Sequence, residues 1–219
     1  RVIADKHGVY LIEDAAHAIG STYKNRPVGS IADITTFSFF PTKNMTSAEG
    51  GAVSSIHPEL LIKARRFARQ GLVRNREEFQ ITTEGNWHQE VHNFGLNYRL
   101  PDVLCALGLS QLSQLSEFKK HRRMLFETYT NQLHENSRIV LPVLRNYADP
   151  MWHLYAIHVN SESRRKIFEQ LRERGLGVQV NYMPAYWHPV FNKLGYRKGM
   201  FPISDNFYNS EISIPMHVG

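Results

Sequence analysis

Apolar positions along the chain form short runs of strand length and longer stretches of helical period. Arg1–Gly8 reads as the tail of a helix closed by Gly8. Val9–Ile12 follows as a short apolar strand ending in the acidic pair Glu13–Asp14. Ile34–Phe40 (Ile-Thr-Thr-Phe-Ser-Phe-Phe) is a second strand, stopped by Pro41. After a polar loop, Gly50-Gly51 leads into a third strand, Ala52–Ser55. Apolar residues recur at near-helical spacing in Leu60–Phe67. One long helix is predicted from Pro101-Asp102 through Leu104, Leu107, Leu112 and Leu115 toward Leu133. Beyond it, His153–Val159 reads as a strand, Arg164–Arg174 as a helix closed by Gly175, and Val178–Tyr182 as another strand. Helix ends alternating with short buried strands predict an α/β layer architecture, with a smaller α+β domain in the second half. The chain opens inside a helix and closes just after an apparent strand, so a fragment is expected.

Composition narrows the class. The 219 residues allow one large domain or two small ones. A hydrophobic share of 42% with 21% charged residues fits a soluble globular protein and argues against disorder. No apolar run approaches the roughly 18 residues needed to span a bilayer, and the N-terminus lacks a signal-peptide pattern. No membrane partner is therefore expected. Cys105 is the only cysteine, which excludes an intrachain disulfide and makes a cytoplasmic location the default. The net charge of +6 attracts anions without choosing among them. The sharpest basic cluster, Lys63, Arg65, Arg66, Arg69, Arg74 and Arg76, reads as one face of a surface helix running into a loop. Contact with an anionic ligand is its other reading, and nucleic acid is not the expected partner. No metal site is expected.

Candidate chemistry lies in three pieces: Glu-Asp-Ala-Ala-His (13–17), Phe-Ser-Phe-Phe-Pro-Thr-Lys-Asn (37–44) and Ala-Glu-Gly-Gly (48–51). Each puts polar groups where a buried strand runs out, and open α/β sheets bind ligands outside the carboxyl ends of their strands. Taken alone, Asp14 reads as a capping aspartate, Lys43 as a surface lysine, and His17 and Ser38 as structural. Together, a carboxylate, a hydroxyl and an amine suit a phosphorylated aromatic cation. Pyridoxal phosphate (PLP) needs that set: a carboxylate for its pyridinium nitrogen, a lysine for its aldehyde, and hydroxyl and N–H donors for its phosphate.

The ordered motifs resemble the sugar aminotransferases of the DegT/DnrJ/EryC1/StrS type, within fold-type I PLP enzymes. The matching residues are Glu13–His17, Gly29–Asp33, Phe37-Ser38-Phe39 with Lys43, Glu49-Gly50-Gly51, Gly95-Leu96-Asn97-Tyr98-Arg99 and Ala106-Leu107-Gly108. They continue through Gln111-Leu112, His153-Leu154-Tyr155, Tyr182 with Pro184, and Phe201-Pro202, to Ser213-Ile214-Pro215. The resemblance implies a partial large PLP-binding domain over residues 1–118, with a mixed or mostly parallel sheet. An incomplete small α+β domain is implied over 119–219. A preceding segment that donates to the phosphate and stacks on the ring would be absent.

The same resemblance implies that Asp14 pairs with the pyridinium nitrogen. It puts His17, where many members have glutamine, near the ring and its phenolic oxygen. Ser38 would bind the phosphate. Lys43 would form the Schiff base and then move protons. Asn97, otherwise a turn residue before the next helix, is expected to reach the cofactor phosphate of a partner subunit, giving a homodimer with shared sites. His153, Tyr182 and His188 read equally as pocket lining and as packing.

Two positions depart from the family pattern. Phe40-Pro41-Thr42-Lys43 stands where His-Pro-x-Lys is common, and Ala48 stands where glycine precedes Glu49; alanine is strained there if the position needs positive φ. Lys43 argues against the dehydrating branch, which has histidine at this place. The implied activity moves an amino group from L-glutamate to a nucleotide-linked 4-keto-6-deoxy sugar. Glu84-Gly85-Asn86-Trp87 and Gly177–Tyr182 look most like the branch that aminates C4 of a UDP-linked 4-keto-6-deoxy-N-acetylhexosamine for pseudaminic acid. The alternatives are a non-catalytic truncated piece, or a PLP enzyme with another substrate.

Overall fold

The computed structural model describes residues 1–217, which form two compact units. The first comprises Arg1–Ser116 with Tyr147–Met151, and the second Glu117–Asn146 with the chain from Trp152 onward.

In the first unit, helix α1 (Val2–His7) ends at Gly8, whose left-handed φ of 60° suits glycine. Strand β1 (Ile12–Asp14) follows, so the acidic pair lies within the strand rather than just after an apolar run. The short strands β2 (Thr22–Tyr23) and β3 (Arg26–Pro27) form a hairpin. Strand β4 (Ile34–Ser38) runs parallel to β1, and β5 (Gly51–Ser55) runs antiparallel to β4. This gives a mixed sheet ordered β1-β4-β5. Asp33 anchors its start. This buried carboxylate accepts from Leu11 N, Arg1 Nη1 and His57 Nε2, and those donors hold it well below the usual carboxylate range.

Helix α2 (Pro58–Phe67) begins with proline at its first turn. Strands β6 (Leu72–Val73) and β7 (Glu90–Val91) pair antiparallel. The predicted long helix is two, α3 (Asp102–Ser113) and α4 (Leu115–Leu133). The break has a local cause: the Ser113 hydroxyl and the Gln114 amide both donate to Ser110 O. Such side-chain bonds compete with the helical ladder. Strand β8 (Ala148–Asp149), unforeseen in the sequence, pairs with β2.

The second unit is built on strand β9 (Tyr155–His158), helix α5 (Arg164–Glu173), the short α6 (Pro189–Asn192), α7 (Pro202–Ser210) and β10 (Glu211–Ile214). β9 and β10 pair antiparallel. Tyr155 and Ile157 alternate inward along β9, as a period of two requires. They pack with Phe126, Val178, Ile212 and Met216, and Ile167, Phe168 and Leu171 of α5 cover that core. Phe126 stacks on Trp152 with centroids 3.7 Å apart. The strand expected over Val178–Tyr182 is not formed. Gln179 bridges Ser213, but at Asn181 the backbone N–H donates to the Glu211 carboxylate at 2.8 Å, so a side chain takes the ladder's place.

Candidate active site

Because β1 and β4 are parallel, with Asp14 opposite Thr36, their carboxyl ends share one edge of the sheet. Asp14 ends β1 and Ser38 ends β4. Asp14 Oδ1 accepts from Ala16 N at 3.0 Å, turning the chain toward His17. Past Ser38 the chain makes a loop before β5, closed by Phe39 N to Gly50 O at 2.9 Å. Thr46 Oγ1 and Ser47 N both donate to Phe39 O, and Ser47 Oγ donates to Glu49 O. Gly50 cannot carry a side chain here, since a Cβ would meet Ser47 Oγ at 2.7 Å. The motif Ala-Glu-Gly-Gly is thus the closing half of the loop that carries Lys43.

Half-buried Lys43 and exposed His17 meet with Nζ and Nε2 2.7 Å apart. Partial desolvation and then the Lys43 charge push the imidazole below its ordinary pKa, while the Asp14 carboxylate works the other way. Asp14, His17 and Lys43 are therefore one electrostatic group. Ser38 lies at the same sheet edge, where its Oγ accepts weakly from Phe40 N at 3.4 Å. The chemistry available is an amine beside an imidazole, with a carboxylate and a hydroxyl at the adjacent strand ends.

Asn44, to which the sequence assigned no role, braces this group. It is 4% exposed, and its Nδ2 donates to His17 O at 3.2 Å and Met151 O at 2.8 Å. Met151 is buried too, with its N–H on Ser21 Oγ at 2.8 Å. Losing the amide strands two carbonyls, at about 1–3 kcal/mol each. Only its place beside Lys43 could have marked this residue in the sequence.

Asn97 lines a cavity of about 540 Å³ with Arg69, Gln70, Leu72, Arg74, Arg99, Leu100, Pro101 and Asp102, a lining that includes none of Asp14, His17, Ser38 and Lys43. Its Oδ1 accepts from Arg99 Nε at 3.0 Å, and its backbone bridges Arg69. The basic cluster read from the sequence is divided. Arg66 pairs with Glu78 and Arg76 bonds Asn86, whereas Arg69 and Arg74 face the Asn97 cavity. Among the described residues no group of three or more His, Cys, Asp or Glu is placed to hold a metal, and no helix is long and apolar enough to cross a membrane.

Residues 1–219 match the DegT/DnrJ/EryC1/StrS aminotransferase family. A Campylobacter jejuni protein named UDP-4-amino-4,6-dideoxy-N-acetyl-beta-L-altrosamine transaminase is 37% identical over 218 residues, covering 98% of this chain and 55% of that relative. Helicobacter pylori PseC, described as an aminotransferase of pseudoaminic acid biosynthesis, superposes with a TM-score of 0.87 at 31% identity, over 98% of this chain and 56% of that one. The PMP form of Streptococcus pneumoniae Spr1654, described as a putative sugar aminotransferase, gives 0.86 at 29% identity, over 95% and 54%. The fold is that of fold-type I aminotransferases, and the chain spans just over half the length of these relatives.

Proposed function

Since the chain belongs to the DegT/DnrJ/EryC1/StrS aminotransferase family, we propose that it is the part of a PLP-dependent aminotransferase that carries the reactive lysine, Lys43. The substrate pair is L-glutamate and a nucleotide-linked 4-keto-6-deoxy sugar. The carrying observation is the Lys43 Nζ–His17 Nε2 contact of 2.7 Å at the sheet edge where Asp14 ends β1.

The donor set suits PLP. A carboxylate, an amine and a hydroxyl are the partners its ring nitrogen, aldehyde and phosphate require, and here they occupy adjacent strand ends and one loop. When bound, PLP supplies an electron sink that makes the Cα–H of an amino donor acidic. Asp14 would pair with the ring nitrogen, Ser38 Oγ would donate to the phosphate, and Lys43 would be the covalent anchor. As a free amine, Lys43 Nζ would be the base that moves a proton at the donor's Cα. His17 lies beside the amine and orients it.

For the substrate, the altrosamine transaminase named above supports a UDP-linked N-acetylhexosamine aminated at C4, and the pseudoaminic acid aminotransferase supports the same branch. A homodimer with Asn97 serving its partner's phosphate is supported by the cavity that Asn97 lines, which includes none of Asp14, His17, Ser38 and Lys43 and carries Arg69, Arg74 and Arg99. A cytoplasmic location follows from the substrate.

Borohydride reduction after incubation with PLP, followed by peptide mass mapping, tests the reading. A pyridoxyl adduct confined to Lys43, and absent from Lys43→Ala, is expected. Labelling scattered over surface lysines would refute it.

A further inference from the structure

Three segments distant in sequence converge on the side chain of Asn44: the turn holding His17, the loop holding Lys43, and the β8 segment ending at Met151. Its two carbonyl acceptors are His17 O and Met151 O. The Met151 end is a fixed reference, being 1% exposed and tied by its own N–H to Ser21 Oγ. The His17 end carries an exposed imidazole that touches Lys43 Nζ. The amide therefore ties the His17 backbone to a buried anchor.

We propose that Asn44 is a positioning residue, holding Lys43 Nζ and His17 Nε2 in hydrogen-bonding contact. The inference rests on the reading of Lys43 as the reactive amine. A lysine must lose a proton before it can act as a nucleophile or base. At 2.7 Å an Nζ–H can donate to the imidazole lone pair, so the ring fixes where the amine stands. Asp14 is the charged group that faces the imidazole from β1, and Lys43 the one from the loop.

The test is the titration of the His17 imidazole by NMR, in the purified protein without added cofactor. Four variants are compared with wild type: Lys43→Met, Asn44→Ala, Asn44→Asp and Ser21→Ala. Removing the lysine is expected to raise the His17 midpoint, because the cation beside it disfavours the imidazolium. Both Asn44 variants should move it in the same direction while the circular dichroism spectrum stays native. A midpoint indifferent to Lys43→Met overturns the pair. Folded Asn44 variants with the wild-type midpoint overturn the positioning role, because a purely structural amide lowers stability without moving a titration. If both unfold, Ser21→Ala decides by loosening only the Met151 anchor, and an unshifted midpoint there overturns the proposal. The PLP labelling result is independent: a coupled pair with no adduct at Lys43 would refute the cofactor reading and not the pair.

Discussion

Ala48 shows how one residue records a constraint of the site. Its φ is 65°, in the left-handed region that a Cβ disfavours. Its N–H bonds Thr46 Oγ1, while Ser47 and Glu49 on either side are bonded to each other, so the loop imposes the conformation. Left-handed strain of this sort costs about 1–3 kcal/mol, against roughly 0.4–1 kcal/mol of extra unfolded-chain entropy for glycine. Strain outweighs that entropy, so Ala48→Gly should stabilise the fold by about 0.5–1 kcal/mol in denaturant unfolding. A destabilised variant would mean that the alanine methyl makes contacts worth more than the strain. The sequence signalled this position because Ala48 departs from a glycine-bearing motif. It gave no such signal for Asn44, whose worth lies in carbonyls at residues 17 and 151.

At the scale of elements, the segment between β6 and β7 depends on one carboxylate. Glu90, only 8% exposed, accepts from the backbone N–H groups of Gln80 and Ile81 and from His88 and His92. Burial alone would raise its pKa, but these four donors outweigh burial and hold it down to about 2. The folded form thus binds fewer protons than the unfolded one, so stability is complete above the unfolded carboxylate range near pH 4.5. It is lost as pH falls from there toward about 2. Glu90→Gln should raise hydrogen exchange at Gln80 and Ile81 about tenfold at neutral pH, as a local opening. Unchanged exchange would show the segment to be held by other means. Nothing in the spacing of His88, Glu90 and His92 announced this clasp, because two of its donors are backbone groups ten and nine residues away. The αL Gly8 that closes α1 was legible, in contrast, whereas Pro41 marks the end of a strand through Phe40 that in the structure stops earlier, at Ser38.

For the whole molecule, the proposed sharing of sites between subunits makes a quantitative prediction. Lys43→Ala and Asn97→Ala should each be nearly inactive alone, in the complete enzyme. Mixed and reassorted at equal amounts, half the dimers are heterodimers with one intact site, restoring about a quarter of wild-type activity. No recovery would place Asn97 in its own subunit's site or outside the chemistry. The division of the chain also has a whole-molecule aspect. Tyr147–Met151 belongs with the first unit through the β2–β8 pairing and the Lys24 N to Tyr147 O bond at 2.7 Å, although helix α4 separates it from that unit in sequence.

What the sequence determined by itself was local: the αL glycine after α1, the strand that runs into Asp14, the lysine loop, and the ordered motifs that identify the family. Each is written in contiguous residues, because turn geometry and side-chain period act over a few positions. Only the tertiary structure decided that Lys43 meets His17, that Asn44 ties the His17 backbone to Met151, and that Asn97 lines a basic cavity. It also decided that β10 meets Asn181 with a carboxylate rather than a backbone carbonyl. Those outcomes are set by hydrogen bonds between segments tens of residues apart, and their partners are fixed only once the sheet has brought the strand ends together.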